Sequence, residues 1–250
     1  MDLTLIISGI AILMFLLGTP VLLVISGWVI GTSYFVVEFP LINVGVTSSE
    51  AVLIYVFLAV PLFVATGDLL TAGGISQKLV KFAQSTVPFL PGATAATTMV
   101  SCGLFSAVSG SNAATAATMG RLLGPELEKK GVDKGLSAAL VAAGGTVGVI
   151  IPPSVMFLIY GVTVDVSSVD LFVGGIIPGI LMVLVLVSTA VFLTRRKEPT
   201  QGRKALKFDQ IIKNAGNAWL GFIAIGIILF GIYWGYFSPT EAAGVVTLYC

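Results

Sequence analysis

Long apolar runs, separated by short polar segments, dominate the pattern of this chain. A helix needs about 20 residues to cross the roughly 30 Å hydrocarbon core of a bilayer. The pattern predicts six membrane-spanning helices and the start of a seventh, at residues 3–17, 21–37, 51–70, 136–160, 171–193, 219–236 and from 241 onward. We therefore expect an all-α, multi-pass protein of the lipid bilayer.

A polar break lies in the middle of the charge-free segment from Phe82 to Gly120, and it reads Ser109-Gly110-Ser111-Asn112. Hydrocarbon offers no water to freed backbone groups, so non-helical chain is tolerated there only where it is buried in protein or lines a cavity. The break favours a binding site, at which one helix end offers carbonyls to a cation and the next offers N–H groups to an anion. The alternative is a closely packed helix pair without a ligand, because the surrounding small residues permit close approach.

A second break is predicted near Gly148–Pro153, inside the apolar segment 136–160. Proline lacks a backbone donor and disfavours helical geometry in the preceding residue, so two prolines after several glycines should unwind the helix. The alternative is a simple proline kink. Two breaks in neighbouring segments together predict helix ends that face one site.

The basic residues predict a re-entrant hairpin at about residues 88–123. Lys78 and Lys81 precede this region and Arg121 follows it. Basic loops lie on the cytoplasmic side, so the chain must enter the membrane and return. A second basic loop is formed by Arg195, Arg196, Lys197, Arg203, Lys204, Lys207 and Lys213. This places the N-terminus outside and gives an odd number of crossings, so a second copy beginning near residue 215 would be inverted, as in many secondary transporters.

Composition excludes several classes of function. Hydrophobic residues make up 56% of the chain and charged residues 10%, far below the share in soluble domains. The sequence has no histidine, which excludes histidine metal sites and Ser-His catalysis. No phosphate loop and no paired catalytic carboxylates are present, and Asp68 is expected to lie near the interface rather than at a site. We expect neither an enzyme nor a nucleic-acid-binding protein.

At its two breaks the sequence resembles the large membrane subunit of tripartite ATP-independent periplasmic (TRAP) transporters of the dicarboxylate and sialic acid type. The resemblance covers nearly the whole chain. The stretches that carry it are Pro61-Leu62-Phe63, Gly67-Asp68-Leu69, Gly103 to Ser111, Gly145 to Ser154, Gly174 to Gly179, and Ser238-Pro239-Thr240-Glu241-Ala242-Ala243.

The resemblance implies an elevator-type, sodium-coupled importer of a small organic acid in the bacterial inner membrane. Its partners would be a small TRAP membrane subunit and an extracytoplasmic solute-binding protein, with no cofactor other than sodium as the coupling ion. By motif position, the sodium ligands would be Ser109, Ser111, Gly148, Ile151 and Pro153. Asn112 and Thr146 would lie at the substrate-binding site or at the sodium site.

The resemblance also implies a division of the chain. Residues 1–72 would belong to a scaffold, 73–161 to a mobile transport domain, 162–214 to the fifth span and a cytoplasmic linker, and 215–250 to the start of a second repeat. Cys250 falls about ten residues into a span, so we expect the N-terminal half of such a permease. The alternative function is a membrane scaffold or assembly subunit that transports nothing.

Overall fold

The computed structural model of the protein describes residues 3–196 and 207–250, with the side chain of Val52 left aside. Lys197, Arg203 and Lys204 of the predicted basic loop therefore lie outside the described residues. The chain forms two compact units, Met1–Ile54 and Tyr55–Cys250. In both units the described secondary structure is helical.

The first unit consists of α1 (Leu3–Leu16), α2 (Val21–Phe35) and α3 (Leu41–Val52). The turn between α1 and α2 forms at Gly18, whose φ of 80° suits glycine. The indole N–H of Trp28 donates to the Ser8 hydroxyl at 3.0 Å, which joins α1 to α2.

The helix α3 was not predicted. The polar run Thr47–Glu50 was expected to be the connection before a span starting at residue 51, but it lies inside α3. The hydroxyl of Ser48 donates to the carbonyl of Val44, four residues earlier, at 2.7 Å. A helix can therefore hold this polar segment, and the next span begins only at Tyr55.

The second unit begins with a 3₁₀ turn, Tyr55–Leu58, and a further 3₁₀ turn, Thr146–Val149, follows α8. Its α-helices are α4 (Ala59–Ala72), α5 (Ile75–Thr86), α6 (Ala93–Ser109), α7 (Asn112–Lys129), α8 (Lys134–Gly145), α9 (Val155–Val164), α10 (Ser168–Thr194), α11 (Phe208–Asn217), α12 (Trp219–Tyr233) and α13 (Pro239–Tyr249).

The helix α6 lies at the centre of this unit and is buried on most of its faces. Its small residues allow the close approach that such burial requires. A Cβ added at Gly103 would lie 3.0 Å from a methyl group of Val183 on α10. On another face, the Cys102 sulfur would lie 2.5 Å from a Cβ added at Gly144 on α8. Neither glycine could therefore become alanine without a local shift.

A helical hairpin is present at the predicted place, formed by α6 and α7, and its re-entry into a membrane stays a prediction. The chain reverses at Gly110, whose φ is 59°. Cys102 and Phe105 of α6 share one buried apolar cluster with Met119 and Leu123 of α7, as expected for antiparallel arms. The helical arms run from residue 93 to residue 129, so the second arm extends beyond the predicted boundary at 123.

Two described segments are long and apolar enough to cross a membrane, Tyr55–Ala72 and Ser168–Thr194. A third results if α11 and α12 are counted together across a 70° bend. The helices α1 and α2 stand where spans were predicted but have only 14 and 15 residues. At about 1.5 Å per residue, α1 is only about 21 Å long. The predicted span 136–160 is divided between α8 and α9.

Two amphipathic helices, α5 and α11, were also missed. Both are short and contain polar as well as apolar residues, so neither forms a long apolar run in the sequence. Leu79 and Ala83 of α5 are fully buried, whereas Lys81 is exposed. The amide of Asn214 on α11 donates to the Lys81 carbonyl at 3.3 Å, so the two helices pack together. The predicted scaffold boundary at residue 72 concerns motion and stays a prediction.

Candidate functional site

The two predicted breaks meet in the structure. The carbonyl of Gly110, at the hairpin tip, accepts a hydrogen bond from the backbone N–H of Val155 at 3.1 Å. A Cβ added at Gly110 would lie only 2.3 Å from the carbonyl oxygen of Pro153. Glycine is therefore required at the tip for two reasons, the left-handed backbone and the close approach of the second break.

A second contact joins the other sides of the two breaks. A Cβ added at Gly148 would lie 3.0 Å from the side-chain oxygen of Asn112 and 3.0 Å from the carbonyl carbon of Ser111. Gly145, one turn earlier, lies against Ala116 of α7. The structure thus brings together four of the predicted site residues, Ser111, Asn112, Gly148 and Pro153, with Gly110 as the link.

The side-chain oxygen of Asn112 is buried and has no hydrogen-bond partner among the described residues. A buried amide oxygen usually has a partner, because leaving it unpaired costs about 1–3 kcal/mol. It lies beside Gly148, where an added Cβ would approach the oxygen to 3.0 Å, so the absence of a side chain at this position allows the close approach. An oxygen in this position can accept a hydrogen bond or coordinate a cation.

The Ser111 hydroxyl caps the second arm of the hairpin. Its oxygen accepts the backbone N–H of Ala114 at 3.4 Å, as an N-cap residue does. A hydroxyl oxygen has two lone pairs, so one remains for another donor or for a cation. Ser154 plays the same capping part for α9, since its oxygen accepts the N–H of Phe157 and its hydroxyl donates to the carbonyl of Val149.

The Ser109 hydroxyl is directed into the hairpin. It lies 3.1 Å from the hydroxyl of Thr115, which also lies 3.3 Å from the hydroxyl of Ser106. All three residues are fully buried. On its other side, the Ser109 Cβ would lie 3.0 Å from a Cβ added at Gly67 of α4. Ser109 is thus held between α7 and α4, one residue from the point where the breaks meet.

The last two predicted residues lie to either side of the junction. Ile151 packs against α10, where a Cβ added at Gly179 would lie 2.8 Å from its side chain. Thr146 is exposed, and its hydroxyl donates to the carbonyl of Ala143 at 2.6 Å. The structure shows no bond between Thr146 and the described residues of the hairpin tip.

The sequence did not assign three residues that the structure places at the site. Gly110 makes the closest approach to Pro153, Thr115 binds both serine hydroxyls, and Gly67 supports Ser109. Among these three, Gly110 alone could have been found from the sequence, because it lies inside a predicted break. For Thr115 and Gly67 the signal is weak, because a hydroxyl or a glycine in an apolar helix has many ordinary uses.

The junction is made of neutral oxygen groups and helix ends. The stretches that form it, residues 105–120 and 144–157, contain no charged residue. No group of three or more Cys, Asp or Glu that could hold a metal ion occurs among the described residues. Neutral hydroxyl, amide and carbonyl oxygens at unwound helices are the ligands that transporters offer to monovalent cations.

Comparison with known families shows to which family the chain belongs. The family model described as "Tripartite ATP-independent periplasmic transporter, DctM component" matches residues 8–250. The chain belongs to this family. Family membership, together with the apolar helices, makes it an integral membrane protein of the TRAP large-permease type.

Three curated relatives show how the family varies. The chain is 34% identical over 195 residues to the C4-dicarboxylate TRAP transporter large permease protein DctM of Vibrio cholerae, covering 78% of this chain and 43% of the relative. It is 39% identical over 197 residues to the isethionate TRAP transporter permease protein DctMQ of Oleidesulfovibrio alaskensis, covering 77% and 30%. It is 35% identical over 195 residues to the sialic acid TRAP transporter large permease protein SiaM of Vibrio cholerae, covering 78% and 45%. The matches therefore span less than half the length of each of these relatives.

Proposed function

We propose that this chain supplies the first sodium site and part of the substrate site of a TRAP large permease subunit. The subunit would import a small organic acid into a bacterial cell by sodium-coupled secondary transport, without acting as an enzyme. The observation that carries the proposal is the meeting of the two helix breaks, where Gly110 lies on Pro153 and Gly148 lies on Asn112. Family membership supports the same class of function.

The chemistry of the junction suits a sodium ion. The C-terminal end of α6 carries partial negative charge, because the last carbonyls of a helix lack helical partners. The unpartnered Asn112 oxygen and the remaining lone pair of Ser111 provide two neutral oxygen ligands at the start of α7. With the backbone carbonyls of Gly148, Ile151 and Pro153, these groups would surround the ion with oxygen. Ser109 would contribute its hydroxyl from between α7 and α4.

The same junction also suits a carboxylate. The N-termini of α7 and α9 lie there, capped by Ser111 and Ser154. Helix N-termini carry partial positive charge and free N–H groups, which bind anions. Asn112 and Thr146 would then contact the substrate. A cation and an anion bound at adjoining helix ends stabilise each other, which is a physical basis for coupling.

The substrate is proposed only as a class. The relatives are named for a C4-dicarboxylate, isethionate and sialic acid, all of which are small organic anions. No side chain at the junction distinguishes among them. We propose that a soluble extracytoplasmic protein delivers the anion, that a small membrane subunit completes the assembly, and that the hairpin and the broken helix move together in an elevator-type cycle.

The test is sodium-dependent uptake by the full-length subunit in proteoliposomes. The small membrane subunit and the solute-binding protein that we propose as its partners would be supplied. We expect uptake to require sodium and to be lost on Ser109→Ala plus Ser111→Ala. Ser188→Ala is the matched control, since among the described residues this α10 hydroxyl bonds within its own helix, to the carbonyl of Leu184. Unchanged uptake in the double variant would favour a scaffold role for this part of the chain.

A further inference from the structure

We propose that α11, supported by α5, is a docking surface for anionic phospholipid headgroups. The surface is defined by Lys81, Lys207, Phe208, Ile212 and Lys213, and we call it the α5–α11 surface. It lies apart from the helix breaks. The inference needs only that α12 is in a membrane and does not depend on the proposed transport function.

The orientation of α11 is the first argument. The helix axis turns by 70° between α11 and the apolar α12. If α12 crosses the bilayer, α11 must therefore run close to the membrane plane. Trp219 stands at this bend with more than half of its surface exposed. Tryptophan is enriched where a helix passes from hydrocarbon to headgroups.

The exposed apolar side chains are the second argument. Phe208 and Ile212 are 70% and 58% exposed. They are four residues apart, so they lie on one side of the helix. The neighbouring side, with Ile211, Asn214 and Ala215, is partly buried and includes the bond to α5. One side of α11 thus packs on the protein. The adjoining apolar side, with Phe208 and Ile212, is exposed and can insert into the apolar part of a membrane.

The charges favour anionic lipid over a neutral one. Within residues 75–86 and 207–217, the cations are Lys78, Lys81, Lys207 and Lys213, against the single acid Asp209, which gives a net charge of +3. Glu126 of α7 also reaches α5, where it accepts a bond from Gln84. An amphipathic helix with exposed apolar residues and flanking lysines binds at the headgroup boundary of anionic membranes. The direct connection of α11 to the apolar helix α12 also favours lipid over a cytoplasmic protein or a second copy of this chain, because neither of those partners would need α11 to lie beside a membrane span.

The first test measures the depth of the exposed side. Tryptophan would be placed at Ile212 or at Gln210 in the full-length protein, reconstituted in nanodiscs that contain brominated phospholipid. These two positions point about 160° apart at 100° per residue. After subtraction of the native tryptophans, we expect strong quenching for Ile212→Trp and little for Gln210→Trp. Equal quenching at both positions, or none at Ile212, would overturn the proposal.

The second test measures headgroup charge. Binding of phosphatidylglycerol and of phosphatidylcholine to the purified full-length protein would be compared by native mass spectrometry. Each lysine near an anionic surface contributes about fivefold, so Lys81→Gln plus Lys213→Gln should weaken phosphatidylglycerol binding roughly 10- to 30-fold. The charge-matched control is Lys129→Gln plus Lys134→Gln, both exposed and outside the surface. Equal loss in both pairs, or no preference for phosphatidylglycerol, would show that no such docking surface exists.

Discussion

The backbone N–H of Val155 donates to the carbonyl of Gly110 at 3.1 Å, and this bond joins the hairpin tip to the start of α9. It unites residues 45 positions apart without using a side chain. Both groups are available because each lies where a helix ends or begins. The bond therefore converts two local interruptions of helix into one shared structure.

Gly110→Ala should destabilise the protein by more than the backbone conformation alone explains. A left-handed conformation costs a non-glycine residue roughly 1–2 kcal/mol. The added Cβ would also press on the Pro153 carbonyl, and overpacking costs typically about 1–3 kcal/mol more. Denaturant unfolding in mixed micelles measures the sum. Gly235→Ala is the matched control, because Gly235 has a φ of 73° and open space around it. Equal losses for the two variants would contradict the close contact.

Asn112→Ala should weaken sodium binding while leaving the stability of the fold nearly unchanged. Its buried side-chain oxygen has no described partner, so removing it should change the free energy of unfolding by no more than about 1 kcal/mol. Sodium binds the folded state and should raise the thermal midpoint of the unsubstituted protein. We expect the variant to lose most of this rise, while Asn214→Ala on α11 keeps it. A variant that is less stable but responds normally to sodium would assign Asn112 a structural role.

Thr115→Val should weaken the hairpin, because two buried hydroxyls lose their shared partner. Ser106 and Ser109 both bond to Thr115, and an unpaired buried hydroxyl costs about 1–3 kcal/mol. Thr115→Ser keeps the hydroxyl and should stay within about 1 kcal/mol of the original protein. Unfolding of the three proteins in the same detergent provides the measurement. Indistinguishable valine and serine variants would show that the hydroxyl cluster contributes nothing.

Gly67→Ala should act on the sodium site through Ser109. The added Cβ would stand 3.0 Å from the Ser109 Cβ, so the hairpin tip must shift by a few tenths of an ångström. If the overpacking energy of about 1–3 kcal/mol is lost from sodium binding, the sodium concentration at half-maximal uptake should rise by about 5- to 150-fold. The control is Gly174→Ala on α10, where an added Cβ meets nothing within 4 Å. A lower maximal rate with unchanged half-saturation would contradict a positioning role for Gly67.

Several features followed from the sequence because their causes are local. Apolar runs predicted the positions of α1, α2, α10 and α12, although the predicted ends differ from the observed ones by a few residues. Prolines at 152 and 153 interrupt a helix whatever surrounds them, and the glycine at 110 permits a reversal. The basic residues before and after the hairpin predicted that the chain turns back, and α6 and α7 do run antiparallel. The family resemblance was confirmed by the match over residues 8–250.

Other features were decided by packing among distant residues. Nothing in the sequence pairs Gly148 with Asn112, because that contact depends on how α7, α8 and the following 3₁₀ turn pack together. The helices α5 and α11 are stabilised by burying one side, which carries polar as well as apolar residues, against the rest of the unit. Their sequences therefore contain no long apolar run. Ser109 received its partners in the same way, from α7 and α4. The sequence by itself determined the interruptions at Gly110 and at Pro152-Pro153, since these residues interrupt a helix through their own backbone properties. Only the tertiary structure decided that the two interruptions meet, since that depends on how the helices pack.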